Sequence, residues 1–446
     1  MLLSIGVRRE SEERYPLRGL VLRTLLCLLG CLAAVATTAP AATARSEPEP
    51  RAQEWVAAWA ASPVRGSDLP GTDSCPAGEG VDDATVRDAV FISSGGSEVR
   101  IRLSNVYGNA PLRIGHATVA VRSAGAASVP GTMRELRFGG NASTVIPAGE
   151  YRYSDPVELR VEALSTLLIS VHLPETTGAL TNHPFANQTN YLAQGDTAAD
   201  PAGSEYSTMP CWVVADAVDV RPSPRVEGTV VAFGDSITDT AATTYNANQR
   251  WPDHLARRLH ARSGATLSVV NAGLGGNRLL AERPGQPYYG IAGVDRFAGD
   301  VLSQSGVRSV IVLEGVNDIG YNATADGVIA GYERLIELAH ARGVTVLGGT
   351  ITPFKGSSVW TQQREDTRQR VNEWIRNSGR FDAVIDFAAA TADPAAQLRL
   401  RPSYDGGDGL HPGDAGTAAM ADAVDLDELL SVSAGRDAAV TGSAHQ

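Results

Sequence analysis

The spacing of apolar and polar residues changes character near residue 225. Upstream of it, apolar and polar positions tend to alternate, as in Val99-Arg100-Ile101-Arg102-Leu103. A period of two is the signature of a strand with one buried face. Similar strand runs lie at 89–93, 112–121, 167–173 and 212–220, and Ser94-Gly95-Gly96-Ser97 supplies a turn between two of these strands. Strands joined by Gly-, Asn- and Pro-bearing turns predict an all-β sandwich or jelly roll over residues 55–220. Arg221-Pro222-Ser223-Pro224-Arg225 then reads as a Pro-rich linker over 221–227, because each proline removes a backbone donor and favours an extended path. Downstream, short continuous apolar runs at 229–233, 267–271, 308–313, 344–350 and 383–387 alternate with helical patterns near 251–262, 295–304, 324–342 and 361–379. In the third of those helices Val328, Ile329, Tyr332, Leu335, Ile336 and Leu338-Ala339 fall mostly on one face. Strand–helix alternation predicts an α/β domain with a doubly wound parallel sheet over 228–432. Residues 433–446 are small and polar and read as a flexible tail.

A chain of 446 residues suits two domains and a targeting segment. Arg8, Arg9, Arg14, Arg18 and Arg23 precede a short apolar core, Leu25 to Ala36, and Ala42-Thr43-Ala44 offers a small-residue cleavage site. That arrangement predicts a signal peptide over 1–44, a flexible leader over 45–54 and a secreted protein without stable membrane insertion. Leu28-Leu29-Gly30-Cys31 offers lipoprotein anchoring at Cys31 as an alternative, although much of the apolar core would then follow the cysteine. Cys27 and Cys31 fall in the signal, which leaves Cys75 and Cys211 as an even pair in an oxidising compartment. A disulfide between them is expected, with two buried thiols as the alternative. The formal charge of −12 argues against nucleic acid or an anionic membrane as partner.

Four short segments carry chemistry. Gly234-Asp235-Ser236-Ile237-Thr238 follows the apolar run Thr229–Phe233, so a serine stands at the carboxyl end of a strand, where open α/β sheets place their ligands. Next come Asn271-Ala272-Gly273-Leu274-Gly275-Gly276-Asn277, Gly315-Val316-Asn317-Asp318 and Asp408-Gly409-Leu410-His411-Pro412. A serine hydroxyl needs an adjacent base to attack an ester, and imidazole, titrating near ~6.5, can serve at neutral pH. Of the eight histidines, only His411 sits in an Asp-x-x-His-Pro segment before a final helix, while His183, in a loop, is the hardest of the others to dismiss. Asp408, three residues before His411, can orient the far ring nitrogen, and Asp405 is its close competitor. A tetrahedral intermediate also needs donors aimed at one oxygen. The Asn317 amide and backbone N–H groups of Ser236 and of a glycine among Gly273, Gly275 and Gly276 are the candidates. Ser236 has a plainer alternative as a helix N-cap. Asp235 and Asp318 read as braces for their loops, and Glu314 has no second carboxylate to work with.

The four segments together resemble the blocks of the SGNH hydrolases, also called GDSL lipases or acylhydrolases, over roughly Thr229 to Leu430. Asn248-Gln249-Arg250-Trp251-Pro252-Asp253, Val312–Gly320 and Gly348–Phe354 are similar to segments of secreted two-domain bacterial members, including arylesterases encoded beside xylan-degrading enzymes. The resemblance implies a flavodoxin-like strand order, 2-1-3-4-5. It also implies Ser236, Asp408 and His411 as catalytic residues, and Ser236, Gly276 and Asn317 as the oxyanion hole. The activity it implies is serine ester hydrolysis through an acyl-enzyme, on carbohydrate O-acyl esters such as acetyl esters or on short-chain and aryl esters. Lipid acylhydrolysis is the alternative within the family, and glycan binding on a passive scaffold is the alternative from another class. The expected partner is therefore an ester substrate, an acylated polysaccharide among the candidates. Trp251, Tyr288, Tyr289, Tyr321, Trp360 and Tyr404 lie near the site loops, either as packing or as platforms for a sugar ring. No metal or organic cofactor is expected, since the sequence holds no H-E-x-x-H, P-loop lysine motif or dinucleotide fingerprint.

Overall fold

In the computed structural model, residues 54–67 and 75–434 are described, and these described residues fall in one compact unit. The signal peptide, most of the leader, Cys31 and nearly all of the expected tail lie outside the described residues. The final helix, Leu426–Ala434, runs two residues into the segment expected as tail.

The described residues of 56–222 form two main antiparallel sheets over a shared core, with a smaller three-stranded sheet of Trp212–Val213, Thr181–His183 and Val64–Arg65 and a two-stranded one of Leu112–Ile114 and Thr144–Ile146. One sheet orders Val56–Ala60, Ala215–Pro222, Gly96–Ser104 and Tyr151–Tyr153, with Val157–Val161 also pairing with Gly96–Ser104. The other is built on Asn190–Gln194, Ala84–Phe91, Thr166–Leu173 and His116–Ala124. Val99, Ile101, Leu103 and Val218 of the first meet Val86, Val90, Ile169 and Val171 of the second, so the inward positions of the alternating pattern build the sandwich core. The expected strand over 112–121 is broken at Gly115, whose N–H turns to the His172 carbonyl. Cys75 and Cys211 are joined by a disulfide, with Cys211 fully buried in the same core.

The strand Val226–Gly234 begins the second region. The preceding strand continues to Pro222, so the expected Pro-rich linker is reduced to a turn over residues 223–225. Five parallel strands follow in the spatial order Thr266–Gly273, Val226–Gly234, Val307–Leu313, Thr345–Gly349 and Ala383–Ile385. This is the 2-1-3-4-5 order, with its switch point beside Val226–Gly234. Central strands covered on both faces need apolar residues throughout, which is why Val230, Val231, Ala232 and Phe233 form one unbroken buried run. Helices Trp251–Ala261, Ala325–His340 and Gln362–Asn377 occupy the expected segments. Thr324 and Thr361 cap the last two by accepting from the N–H groups of Gly327 and Arg364. The expected helix at 295–304 is a short helix, Gly293–Phe297, continued by a π-helical turn, Ala298–Leu302.

The two regions are fused along an edge of the parallel sheet. Strand Val56–Ala60 is buried on both faces: Val56 and Ala58 pack into the sandwich core, Ala57 and Ala60 into the α/β core. Edge strand Thr266–Gly273 donates from the Ser268 hydroxyl to the Ala57 carbonyl (2.6 Å), and its Val269 N–H donates to Ser93 Oγ (3.1 Å). The sandwich therefore covers an edge that would otherwise present unpaired backbone groups.

Candidate active site

The strand Val226–Gly234 delivers Ser236 at its carboxyl end as the first residue of a short helix, Ser236–Asp239. The cap of that helix is Asp235, whose Oδ1 accepts from the Ile237 N–H at 3.0 Å. The Ser236 side chain is thus not occupied in capping. Its Oγ lies 2.8 Å from His411 Nε2, and His411 Nδ1 lies 2.6 Å from Asp408 Oδ2. Asp408 Oδ1 also accepts from the backbone N–H groups of His411 (2.8 Å) and Leu410 (2.9 Å). Partial burial alone would raise the Asp408 pKa, but these donors outweigh it and hold the carboxyl below its ordinary range. Asp405 does different work: its Oδ1 accepts from Gly407 N–H and Gly409 N–H and shapes the turn that carries Asp408. Among the described residues no other histidine is hydrogen-bonded to Ser236. His116 and His172 pair with carboxylates in the sandwich, and His254, His260 and His340 lie in helices.

The three glycines are distinguished by what their N–H groups do. Gly273 N–H donates to Asn271 Oδ1 (2.8 Å) and Gly275 N–H to Asp239 Oδ2 (2.7 Å). The Gly276 N–H has no protein acceptor among the described residues, and neither has that of Ser236. Gly276 has φ of +69°, and a Cβ there would stand 2.4 Å from the Tyr289 ring, so a side chain is excluded by both strain and space. Asn317 spends one amide hydrogen on the Asn277 carbonyl (2.9 Å), and its Oδ1 accepts from Arg283 (3.0 Å), which leaves the second amide hydrogen uncommitted. The Arg283 guanidinium stands 4.1 Å over the Tyr289 ring and 5.0 Å from that of Tyr321. Sequence reasoning missed Arg283, because a lone arginine in a loop carries no pattern.

Asp318 braces the loop after Asn277 by accepting from Leu279 N–H (2.7 Å) and Leu280 N–H (3.0 Å). Below the site lies a second residue missed in the sequence, Arg296, 3 % exposed. Its guanidinium donates to Asn277 Oδ1, Ser62 Oγ, the carbonyls of Ala272 and Gly234, and the carboxylates of Asp300 and Glu314, at 2.8–3.1 Å. One cation thereby ties the serine loop to the glycine loop. Glu314 is buried in this network; desolvation, helped by Asp235 and opposed by Arg296, pushes its carboxyl well above the ordinary range. Burial likewise raises Asp235 to about 6. Of the six aromatics near the loops, Trp251 is core, with its indole N–H on Thr238 Oγ1, and Tyr288 is buried, whereas Tyr321 is 54 % exposed.

Residues 232–419 match the model of the GDSL-like Lipase/Acylhydrolase family. The α/β region of this chain belongs to that family. A GDSL domain of this kind makes the protein a carboxylic ester hydrolase. No curated protein matches the chain. Solved structures similar to it include the aryl esterase of M. smegmatis, 18% identical, with a TM-score of 0.38 over 46% of this chain and 99% of that one. A carbohydrate acetylesterase family member from Sinorhizobium meliloti is also 18% identical, with a TM-score of 0.37 over 47% of this chain and 99% of that one. Among the described residues of the GDSL domain and sandwich, no group of His, Cys, Asp and Glu is arranged to hold a metal ion, and no helix is long and apolar enough to cross a membrane.

Proposed function

We propose that the chain is a secreted serine esterase in which Ser236, His411 and Asp408 act together on carbohydrate O-acyl esters, acetyl esters foremost, or on short-chain and aryl esters. The observation that carries the reading is the unbroken hydrogen-bonded series Ser236 Oγ–His411 Nε2 and His411 Nδ1–Asp408 Oδ2, at 2.8 and 2.6 Å. Ser236 Oγ attacks the ester carbonyl while His411 Nε2 takes its proton. Asp408 fixes the tautomer and stabilises the imidazolium. The carbonyl oxygen, now an oxyanion, is met by the N–H groups of Ser236 and Gly276 and by the free amide hydrogen of Asn317. Collapse breaks the bond to the alcohol, which leaves with the proton returned by His411. Water then attacks the acyl-enzyme, gives its proton to the same imidazole, and frees the acid and Ser236.

The rim favours a sugar ester over a lipid. Exposed Tyr321 and Tyr245 (54 % and 49 %) stand in the loops after Asn317 and Ser236, with Arg283 beside Asn317. Aromatic faces and guanidinium donors suit a polar ring, whereas an acyl chain of a lipid needs a continuous apolar surface. Export is supported by the Cys75–Cys211 disulfide. The test is a panel: p-nitrophenyl acetate, p-nitrophenyl esters of graded chain length, and acetylated xylan with acetate release measured. The reading predicts highest kcat/KM on acetyl esters and release from the glycan. A maximum at long acyl chains would favour the lipid acylhydrolase instead.

A further inference from the structure

The histidine that sequence reasoning could not dismiss lies at the end of strand Thr181–His183, in the sandwich, 3 % exposed. Its Nε2 stands 2.9 Å from Asp239 Oδ1 and its Nδ1 stands 2.8 Å from the Ser62 carbonyl. Asp239, also buried, ends the short helix that Ser236 begins, and its other oxygen accepts from Gly275 N–H at 2.7 Å. The next amide along the chain is the free N–H of Gly276. Phe185, two residues after His183, closes the other side: a Cβ on Gly275 would stand 2.7 Å from its ring. The loop is thus fixed from the sandwich by one hydrogen-bonded series and one aromatic wall.

We infer that His183 is a positioning residue for ester hydrolysis at Ser236: through Asp239 it holds the Leu274–Gly275 peptide, and so sets the direction of the next amide, the Gly276 N–H, toward the oxyanion. The inference rests on the oxyanion role proposed above for Gly276. It makes the sandwich part of the active site rather than a separable module. The neighbours favour the charged form: a backbone carbonyl can only accept and a carboxylate faces the other nitrogen, so the imidazolium, with a donor on each ring nitrogen, suits both contacts. Burial opposes that charge, but Asp239 and the Ser62 carbonyl outweigh it and raise the His183 pKa above the ordinary value. The groups around the ring are Asp239 on the serine helix, the Ser62 carbonyl, Arg250 before helix Trp251–Ala261, whose charge opposes protonation, and the indole of Trp212 at 5.3 Å.

The test uses the full chain with His183→Gln, which keeps a donor amide but no charge, and Asp239→Asn, with active sites counted by a serine-directed phosphonate. Losing a fixed oxyanion donor outright costs ~10²–10³ in kcat, so a donor that is merely loosened should cost roughly 10- to 100-fold per titrated site, with KM within about twofold. Wild-type kcat should also fall on the alkaline side as His183 loses its proton, and His183→Gln should lack that limb. If His183→Gln does not fold, Asp239→Asn and the wild-type profile carry the test. Wild-type kcat per titrated site in the folded variants, or a rise in KM alone, overturns the inference. Ser236→Ala, assayed beside them, separates this failure from failure of the serine mechanism itself.

Discussion

Replacing Arg296 by methionine should cost more stability than any single change to Ser236, His411 or Asp408, the residues proposed as catalytic. Methionine fills much of the volume but supplies none of the N–H donors. The carboxylates of Asp300 and Glu314 would lose a partner at 2.8 and 3.1 Å in a site where the arginine is 3 % exposed. Breaking a buried ion pair by removing one partner costs about 3–5 kcal/mol. Asn277 Oδ1 would lose its Arg296 donor as well, an effect of about 1–3 kcal/mol when a buried group is left unsatisfied. The Gly234 carbonyl still accepts from Leu274 N–H and adds little. These effects share one site and are not additive, so a total of roughly 4–6 kcal/mol is expected, against the ~5–15 kcal/mol that holds a typical domain folded. The loss must depend on pH. Glu314 already has a carboxyl pKa above its unfolded value, so the folded state binds its proton more tightly, and its contribution falls as pH rises above about 4.3. Without Arg296 that pKa rises further, and the penalty should be smaller at pH 5 than at pH 8. Urea unfolding followed by tryptophan fluorescence at both pH values measures it. A loss below about 1 kcal/mol at pH 8, or a larger loss at pH 5 than at pH 8, would refute the reasoning.

Asn317→Ala should lower kcat by roughly 10²–10³-fold with little change in KM, measured on p-nitrophenyl acetate, because in the proposed mechanism its free amide hydrogen meets the oxyanion and not the ground state. Arg283→Met should lower kcat by a smaller factor, about tenfold, by releasing the Asn317 carbonyl it holds at 3.0 Å; unchanged kcat would leave Arg283 a rim residue only. Cys75→Ser with Cys211→Ser removes a link spanning 136 residues and should lower stability by about 4–5 kcal/mol on the chain-entropy account, read from urea midpoints of oxidised and double-variant protein.

The features legible in the sequence were those with a local pattern. Val230–Phe233 announced a central strand because a strand covered on both faces must be apolar at every position. Asp408 and His411 announced themselves because a turn and a three-residue spacing suffice to bring carboxylate and imidazole together. Arg296, Asp239 and His183 gave no such signal. Arg296 gathers Ser62, Gly234, Asn277 and Glu314 from four separate segments, and His183 reaches Asp239 across 56 residues. Such partners are chosen by tertiary packing, which one sequence does not display. The family resemblance implied Gly276, but the residues themselves left Gly273 and Gly275 open for the same reason, since no local pattern shows that Asn271 and Asp239 take the N–H groups of Gly273 and Gly275. Val56–Ala60 was also missed. Its residues are buried on both faces between two cores, so the alternation that marks other sandwich strands is absent.

The central claim is that an acyl group is carried on Ser236. Rapid quenching of the full chain in acid during turnover of p-nitrophenyl acetate, followed by peptide mapping, tests it directly. The account predicts an acetylated peptide containing Ser236, absent in Ser236→Ala and accumulating too slowly to matter in His411→Ala. An acetyl group on another residue with activity intact, or full turnover by Ser236→Ala, would contradict it.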